Sequence, residues 1–131
     1  MTTDVVPPNV FGYSDAVWQR FLLTKNVGWS EGDDIVVVEA GNILEDACIQ
    51  LFVETNLEGD GIEHAQFLAR GCPVTIAVAD WLAEWLGGRE VSDLRLTARD
   101  FVVALEIPDN KTHCALMGED IIRRLQEQLV S

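Results

Sequence analysis

The residue pattern changes along the chain from an alternation of period two to a helical spacing, and this change constrains the fold more than any other feature. Residues 46–54 alternate as a half-buried β-strand does. One face of this predicted strand carries Ile49, Leu51 and Val53. The other face carries Asp46, Cys48, Gln50 and Phe52. Residues 35–39 and 62–69 also have strand character, and the turn formers of residues 56–61 predict an antiparallel hairpin. We expect the first strand to pair beside this hairpin as a meander.

Helical spacing dominates the second half of the chain. Residues 73–86 have apolar side chains at helical spacing, with Pro73 suited to the first position and two glycines after the last. Further helices are predicted at residues 97–105, where Thr97 and Asp100 have the spacing of a capping box, and at residues 112–129. An earlier helix is expected to start at Ser14. Strands followed by helices predict an α+β fold, a small three-stranded antiparallel sheet with helices packed on one face.

Length and charge restrict the class of partner. The 131 residues suit a single domain, which we place at residues 12–131 after an extended N-terminal tail at residues 1–11. Nine basic residues against 22 acidic ones give a net charge of −13, which argues against nucleic acid or an anionic membrane as partner. No apolar run approaches the roughly 18 residues of a membrane span, and the N-terminus lacks a signal-peptide pattern. We therefore expect a cytoplasmic protein.

The three cysteines suggest metal binding, catalysis or simple burial rather than a disulfide framework. Cys72 lies between Gly71 and Pro73 at a predicted helix start, where free amides and the helix dipole favour a thiolate. A small buried apolar cysteine fits Cys72 equally well. His113 and Cys114 are adjacent at the start of the last helix, and the pair viewed alone fits better with Cys114 in the core and His113 on the surface.

A second candidate half-site lies on the middle strand. Asp46 and Cys48 are two residues apart and are predicted to share a face, as a carboxylate and a thiol that bind zinc or iron would. A solvated Asp46 and a buried Cys48 explain the same pattern more simply. The spacings among positions 46, 72 and 114 match no compact zinc-finger pattern, so the fold would have to assemble any site.

Several short motifs occur together in a characteristic order. They are Tyr13-Ser14, Asn26-Val27-Gly28, Ala65-Gln66-Phe67, Gly71-Cys72, Glu84-Trp85-Leu86 with Gly88, Lys111-Thr112-His113-Cys114 and Glu119-Asp120. In this order and spacing the chain resembles the iron–sulfur cluster scaffold family called IscU, which has the same fold as the N-terminal domain of NifU. The resemblance runs from about Tyr13 to Leu129.

The resemblance implies a set of ligands for zinc, iron or a nascent iron–sulfur cluster. Cys72 corresponds to the second cysteine of the family, His113 and Cys114 to its His-Cys pair, and Asp46 to the aspartate that follows its first cysteine. The first cysteine itself falls on Leu44, and the glycine after it on Glu45. Cys48 is a candidate substitute, although it lies about 13 Å along the strand from position 44. Two cysteines, a histidine and an aspartate suit zinc or mononuclear iron better than a cluster, which thiolates normally hold.

The resemblance also implies partners. A scaffold of this family accepts sulfur from a cysteine desulfurase and is not itself an enzyme. The segment that recruits an Hsp70-type chaperone in the family, Leu-Pro-Pro-Val-Lys, falls on residues 107–111, where only Pro108 and Lys111 are kept. Chaperone recognition of the standard kind is therefore not expected. Two further functions stay open: a binding or regulatory module that has lost cluster assembly, and a persulfide sulfur-transfer protein that uses Cys72 or Cys114.

Overall fold

The computed structural model describes residues 8–130, with side chains up to residue 129. Within these residues one short helix comes first, three strands follow, and three further helices come last, which is the order that the sequence predicts. They are α1 (Asp15–Leu22), β1 (Ile35–Asn42), β2 (Ala47–Thr55), β3 (Ile62–Arg70), α2 (Pro73–Leu86), α3 (Ala98–Leu105) and α4 (Thr112–Val130). Two short 3-10 turns, Val91–Asp93 and Asp109–Lys111, precede α3 and α4.

The three strands form one antiparallel meander in the order β1-β2-β3, which confirms the predicted topology. Leu51 lies at its centre, paired with Val38 on one side and Phe67 on the other. Strand β1 is longer than the predicted residues 35–39. Its β-branched run ends early, but pairing with β2 continues to Asn42 opposite Ala47, so the partner strand rather than local propensity sets its end.

Helices cover one face of the sheet, as predicted. Helix α2 packs on β3 and helix α4 packs on β1. The inward side chains of β2, Ile49, Leu51 and Val53, are fully buried, whereas its outward side chains are only partly covered. The alternation in the sequence therefore corresponds to a real division between a core face and an open face.

Local capping explains where several helices begin and end. The Ser14 hydroxyl accepts a hydrogen bond from the backbone N–H of Val17 at 3.1 Å, which caps α1. Helix α2 begins at Pro73 and is followed by Gly87-Gly88, as the sequence predicts. The Asp100 carboxylate accepts the backbone N–H of Thr97 at 2.8 Å, as expected for a capping box.

A buried carboxylate ties the N-terminal part of the chain to α2. Asp80 is 1% exposed, and its Oδ1 atom accepts the backbone N–H groups of Lys25 and Asn26, each at 3.0 Å. Its Oδ2 atom accepts from Arg20 at 2.8 Å. Val27 then forms a parallel bridge with Phe67 on the free edge of β3. This network fixes the segment between α1 and β1 against both α2 and the sheet.

The N-terminal tail predicted at residues 1–11 lies for its first seven residues outside the part that the structure describes. The last residues of that segment form a turn, in which the Asn9 Oδ1 atom accepts the backbone N–H of Tyr13 at 3.1 Å. None of the helices between residues 8 and 130 has the length and apolar character needed to cross a membrane.

Gly118 is predicted to be essential for the packing of α4 against α3. A Cβ atom at this position would lie 2.7–2.9 Å from the ring of Phe101, which is fully buried and cannot move aside. Overpacking of this kind costs about 1–3 kcal/mol, and the better helix propensity of alanine returns at most about 1 kcal/mol. We expect Gly118→Ala to lower the free energy of unfolding measured in urea.

Gly87→Ala is the matched control for that measurement. Gly87 has a φ of −59°, and its nearest neighbour to an added Cβ is the Glu84 carbonyl oxygen at 3.8 Å. The control should therefore be neutral or slightly stabilising. Equal urea midpoints for the two variants would show that α3 and α4 do not need the close approach.

Candidate functional site

The fold brings Cys72 and Cys114 into contact although they are 42 residues apart in sequence. Cys72 is the cap residue that joins β3 to α2, and Cys114 lies in the first turn of α4. Their Sγ atoms are 3.8 Å apart. Cys114 is fully buried, whereas Cys72 is half-buried, so one member of the pair lies in the core and the other is only partly covered.

Thr75 completes this cluster, and the sequence analysis did not identify it. Its hydroxyl oxygen lies 3.3 Å from the Cys114 sulfur and 3.7 Å from the Cys72 sulfur, and the residue is fully buried. The available signal was its position three residues after Cys72 on a helix, where side chains meet on one face. A hydroxyl that contacts both sulfurs can donate to a thiolate or accept from a thiol.

Gly71 provides the backbone turn that presents Cys72. Its φ is +144°, a conformation that favours glycine, and an added Cβ would lie 2.9 Å from the Thr75 hydroxyl oxygen. Each residue of the Gly71-Cys72-Pro73 sequence therefore has a structural role. Glycine makes room for Thr75, the cysteine occupies the cap position, and Pro73 begins the helix without an N–H to satisfy.

The two thiols have opposite protonation preferences. The hydrogen bond from the Cys114 thiol lowers the pKa of Cys72 to about 4, against the effect of partial burial, and the backbone N–H groups of Thr75 and Val74 contribute in the same direction. The pKa of Cys114 is raised because this thiol donates to Cys72 and is buried. The pair therefore holds a thiolate at Cys72 and a thiol at Cys114.

Lys111 supplies a positive charge beside this thiolate. Partial burial works to lower the pKa of Lys111, but the negative charge at Cys72, with smaller contributions from Tyr13 and Cys114, raises it above its ordinary value. The sequence analysis named Lys111 within its motifs and gave it no role of its own at the cysteines. Lys111 is the last residue of the short 3-10 turn that begins after Pro108 and leads into α4.

Asp46 lies at the same end of the β2–β3 strand pair as Cys72, but its side chain points into solvent. Cys48 and Arg70 form the terminal pair of β2 and β3. Asp46 lies two residues before Cys48 and Cys72 lies two residues after Arg70, so both extend from this end of the strand pair. The Asp46 side chain is 87% exposed and accepts from the Arg70 Nε atom at 3.3 Å. Asp46 itself precedes β2 with a left-handed φ of 48°, so the prediction that it belongs to the strand is wrong by one residue.

Cys48 lies on the open face of the sheet, away from the other two cysteines. Its sulfur donates to the Glu39 carboxylate at 3.2 Å. Burial, followed by this carboxylate, raises the pKa of Cys48. Because side chains alternate across a strand and Ile49 points to the helices, Cys48 points to the opposite side. The structure thus does not bring the candidate substitute ligand to Cys72 and Cys114, nor does it place Asp46 and Cys48 together on one strand face.

His113 is half-buried beside Cys114 in the first turn of α4. Among residues 8–130, no group of three or more His, Cys, Asp or Glu side chains is placed so that it could hold a metal ion. Of the four ligands implied by the resemblance, the structure therefore joins Cys72 and Cys114 directly. His113 adjoins them in sequence, and Asp46 remains on the turn between β1 and β2.

That turn carries the residue at the position of the missing cysteine. Ile43 and Leu44 are 97% and 96% exposed, at the tip that connects β1 to β2. Two fully exposed aliphatic side chains on a turn are uncommon in a chain that has a well-formed core. Leu44 therefore takes no part in packing the domain.

The sheet and the paired thiols define a class of protein: a small α+β domain that presents cysteine sulfur where a strand passes into a helix. The family described as the NifU-like N-terminal domain matches residues 12–127. This chain belongs to that family.

Proteins of similar sequence are cluster assembly proteins by name. Iron sulfur cluster assembly protein 1 of Trachipleistophora hominis is 32% identical over 113 residues, covering 85% of this chain and 81% of that protein. The iron-sulfur cluster assembly scaffold protein IscU of Escherichia coli K12 is 31% identical over 115 residues, covering 85% of this chain and 88% of that protein. The resemblance found in the sequence is confirmed.

Solved structures show the same fold. The N-terminal part of a NifU-like protein from Brucella abortus superposes with a TM-score of 0.69 at 12% identity, over 88% of this chain and 94% of that chain. A putative scaffold protein for the SUF system from Fervidobacterium islandicum superposes with a TM-score of 0.62 at 15% identity, over 86% of this chain and 94% of that chain. The predicted α+β class is confirmed.

The reactivity of Cys72 is predicted to be nearly independent of pH from weakly acidic to weakly alkaline solution. With a pKa of about 4, Cys72 is already a thiolate in this range, so raising the pH adds no reactive species. Iodoacetamide labelling of the metal-free protein, followed by peptide mass spectrometry, measures the rate at each cysteine. In Cys114→Ala the donor is lost, the pKa rises, and labelling of Cys72 should slow several-fold at weakly acidic pH.

Cys48 is the internal control, because its raised pKa means that its labelling must accelerate as the pH rises. If the labelling rate of Cys72 depends on pH in the same way as that of Cys48, the hydrogen bond from the Cys114 thiol does not hold Cys72 as a thiolate.

Proposed function

We propose that this protein is a scaffold for iron–sulfur cluster assembly on which Cys72 and Cys114 bind the incoming iron and sulfur. The observation that carries the proposal is the contact of the two sulfurs at 3.8 Å, in which Cys114 is buried and Cys72 is only partly buried. Membership of the family and the names of the cluster assembly proteins that resemble the chain support it. The cluster is the cargo of such a protein and not a permanent cofactor.

The donor chemistry supports iron or zinc as the metal. Thiolate sulfur is a ligand that both metals favour, and the lowered pKa of Cys72 supplies a thiolate at neutral pH. Metal binding would displace the proton that the pair shares, because a coordinating thiol is deprotonated. The positive charge of Lys111 stabilises negative sulfur at the same place.

His113 and Asp46 are proposed to complete the ligand set. His113 follows the family's His-Cys pattern and adjoins Cys114 in the same turn. Among the described residues the Asp46 carboxylate is held by an exposed ion pair with Arg70, and pairs of this kind contribute about 0–1 kcal/mol. Little therefore opposes a movement of the Asp46 carboxylate towards the thiols.

A cysteine desulfurase is the proposed source of sulfur. Sulfur transfer from a persulfide requires a nucleophilic and accessible thiolate, and Cys72 has both properties, whereas Cys114 is buried. Sulfur would therefore arrive at Cys72 first. Recruitment of an Hsp70-type chaperone in the standard way is not part of the proposal, because residues 107–111 keep only two positions of the recognised segment.

A persulfide carrier is the second candidate function. It is favoured by the observation that residues 8–130 contain no three-ligand group in place for a metal. A carrier needs an exposed thiolate and no closed metal site, so metal content separates the two functions.

Metal content is predicted to depend on Cys72 and not on Cys48. Protein purified without oxygen or chelators should contain about one iron or zinc per chain, which is the stoichiometry of a single site of four ligands. Cys72→Ser should lose most of this metal, whereas Cys48→Ser, on the other face of the sheet, should keep it. Elemental analysis measures the metal, and a visible spectrum distinguishes a cluster from a single ion. A parent protein that stays colourless and metal-free after reconstitution with iron and sulfide would refute the scaffold function.

Restoring a cysteine at the turn is predicted to strengthen cluster binding. Leu44 is 96% exposed and packs against nothing, so Leu44→Cys should fold as the parent does. A third thiolate at this turn should raise the yield of cluster after reconstitution, since clusters are held by thiolates. Leu57→Cys places an equally exposed thiol on the turn at the other end of β2 and is the matched control. Equal cluster yields from both variants would contradict the role of the β1–β2 turn.

A further inference from the structure

We infer that Cys72 and Cys114 work as a sulfur-reducing pair: Cys72 accepts a sulfane sulfur as a persulfide, and Cys114 resolves it and releases sulfide. This inference deepens the proposed function, because it rests on the delivery of sulfur to Cys72. It adds a redox step between two thiols that the scaffold function uses as ligands and, at Cys72, as the acceptor of sulfur.

The reaction balances within the protein and its cargo. The Cys114 sulfur attacks the Cys72 sulfur of a Cys72–S–SH group, a bond forms between the two cysteine sulfurs, and the bond to the outer sulfur breaks. The outer sulfur leaves with the electron pair as hydrosulfide and takes the proton of the Cys114 thiol to give hydrogen sulfide. Two cysteine thiols have supplied two electrons, and the sulfane sulfur has been reduced to the oxidation level found in a cluster.

The geometry selects this route. The two sulfurs start 3.8 Å apart, and a disulfide bond of about 2.0 Å is within reach of side-chain rotation. The Cys114 sulfur is buried against Cys72 and Thr75, so a persulfide on Cys72 has a thiol 3.8 Å from the position of its inner sulfur. The Thr75 hydroxyl oxygen lies 3.3 Å from the attacking Cys114 sulfur and can accept a hydrogen bond from its thiol as that sulfur attacks.

The surroundings of the pair limit competing reactions. The Cys48 thiol donates to the Glu39 carboxylate on the opposite face of the sheet, so its side chain is directed away from Cys72. The turn between β1 and β2 presents Leu44, which has no thiol. A persulfide on Cys72 therefore has one intramolecular thiol to meet, and the product is a single disulfide.

The cycle closes with an external dithiol reductant. The Cys72–Cys114 disulfide must be reduced to two thiols before the next sulfur arrives. A dithiol such as dithiothreitol or a dithiol protein supplies the two electrons by thiol–disulfide exchange. Access through the half-buried Cys72 sulfur allows this exchange, since its neighbour Cys114 is closed to solvent.

The test uses a chemical sulfur donor in place of a desulfurase. The full-length, metal-free protein is reduced, freed of reductant and treated briefly with inorganic polysulfide, and intact mass and free sulfide are followed over time. The parent protein should lose the mass of two hydrogen atoms and release one equivalent of sulfide. Cys114→Ser should instead keep the mass of one added sulfur atom, as a stable persulfide on Cys72.

Two further variants serve as controls for this experiment. Cys48→Ser should behave as the parent, because Cys48 is outside the pair. Cys114→Ala is tested beside Cys114→Ser, because a serine hydroxyl in the core could disturb folding, and the urea midpoint of each variant shows which one is intact. Retention of the added sulfur by the parent for as long as by the intact Cys114 variant would overturn the inference.

Failure of this inference and failure of the scaffold function give different results. If the parent forms the disulfide but takes up neither metal nor sulfur from a desulfurase, the sulfur-reducing pair stands and the scaffold function fails. If the parent binds metal or cluster but keeps the persulfide unresolved, the scaffold function stands and this inference fails.

Discussion

The placement of helix α2 is the constraint on which the rest of the structure depends. Most of its side chains are buried, and its one buried charge, Asp80, is neutralised by Arg20 and by two backbone N–H groups of the segment before β1. A buried carboxylate is tolerated only with such partners. The helix is therefore fixed by the sheet on one side and by the N-terminal segment on the other. Its first turn carries Thr75 and begins directly after Cys72, so the cysteine site inherits this fixed position.

Much of the fold could be predicted because local patterns and tertiary packing agree. The bounds of α2 follow from Pro73 and the two glycines, and the division of β2 into two faces follows from its alternation. The end of β1 could not be predicted, since pairing with β2 extends it beyond its β-branched run. Asp46 was placed in the strand for a similar reason: period-two patterning does not reveal that a residue has turned to a left-handed conformation.

The candidate site was less predictable than the fold. Each thiol could be noted on its own, but no spacing rule states that residues 72 and 114 touch, and the resemblance supplied that expectation. Thr75 was missed because its value comes from contacts with both sulfurs and not from a motif. The distribution of charge in the pair also depends on the folded state, since the hydrogen bond from Cys114 decides that Cys72 carries the thiolate.

The exposed tip of the β1–β2 turn has a consequence for association. Ile43 and Leu44 project aliphatic surface into water, in a chain whose net charge is −13. Most contacts of so acidic a surface weaken as ionic strength rises. Contacts at this tip behave differently, because they remove apolar surface from water. Binding of a partner over the tip thus carries a negative heat-capacity change and little salt dependence. Calorimetry can therefore separate binding at this turn from binding elsewhere on the domain.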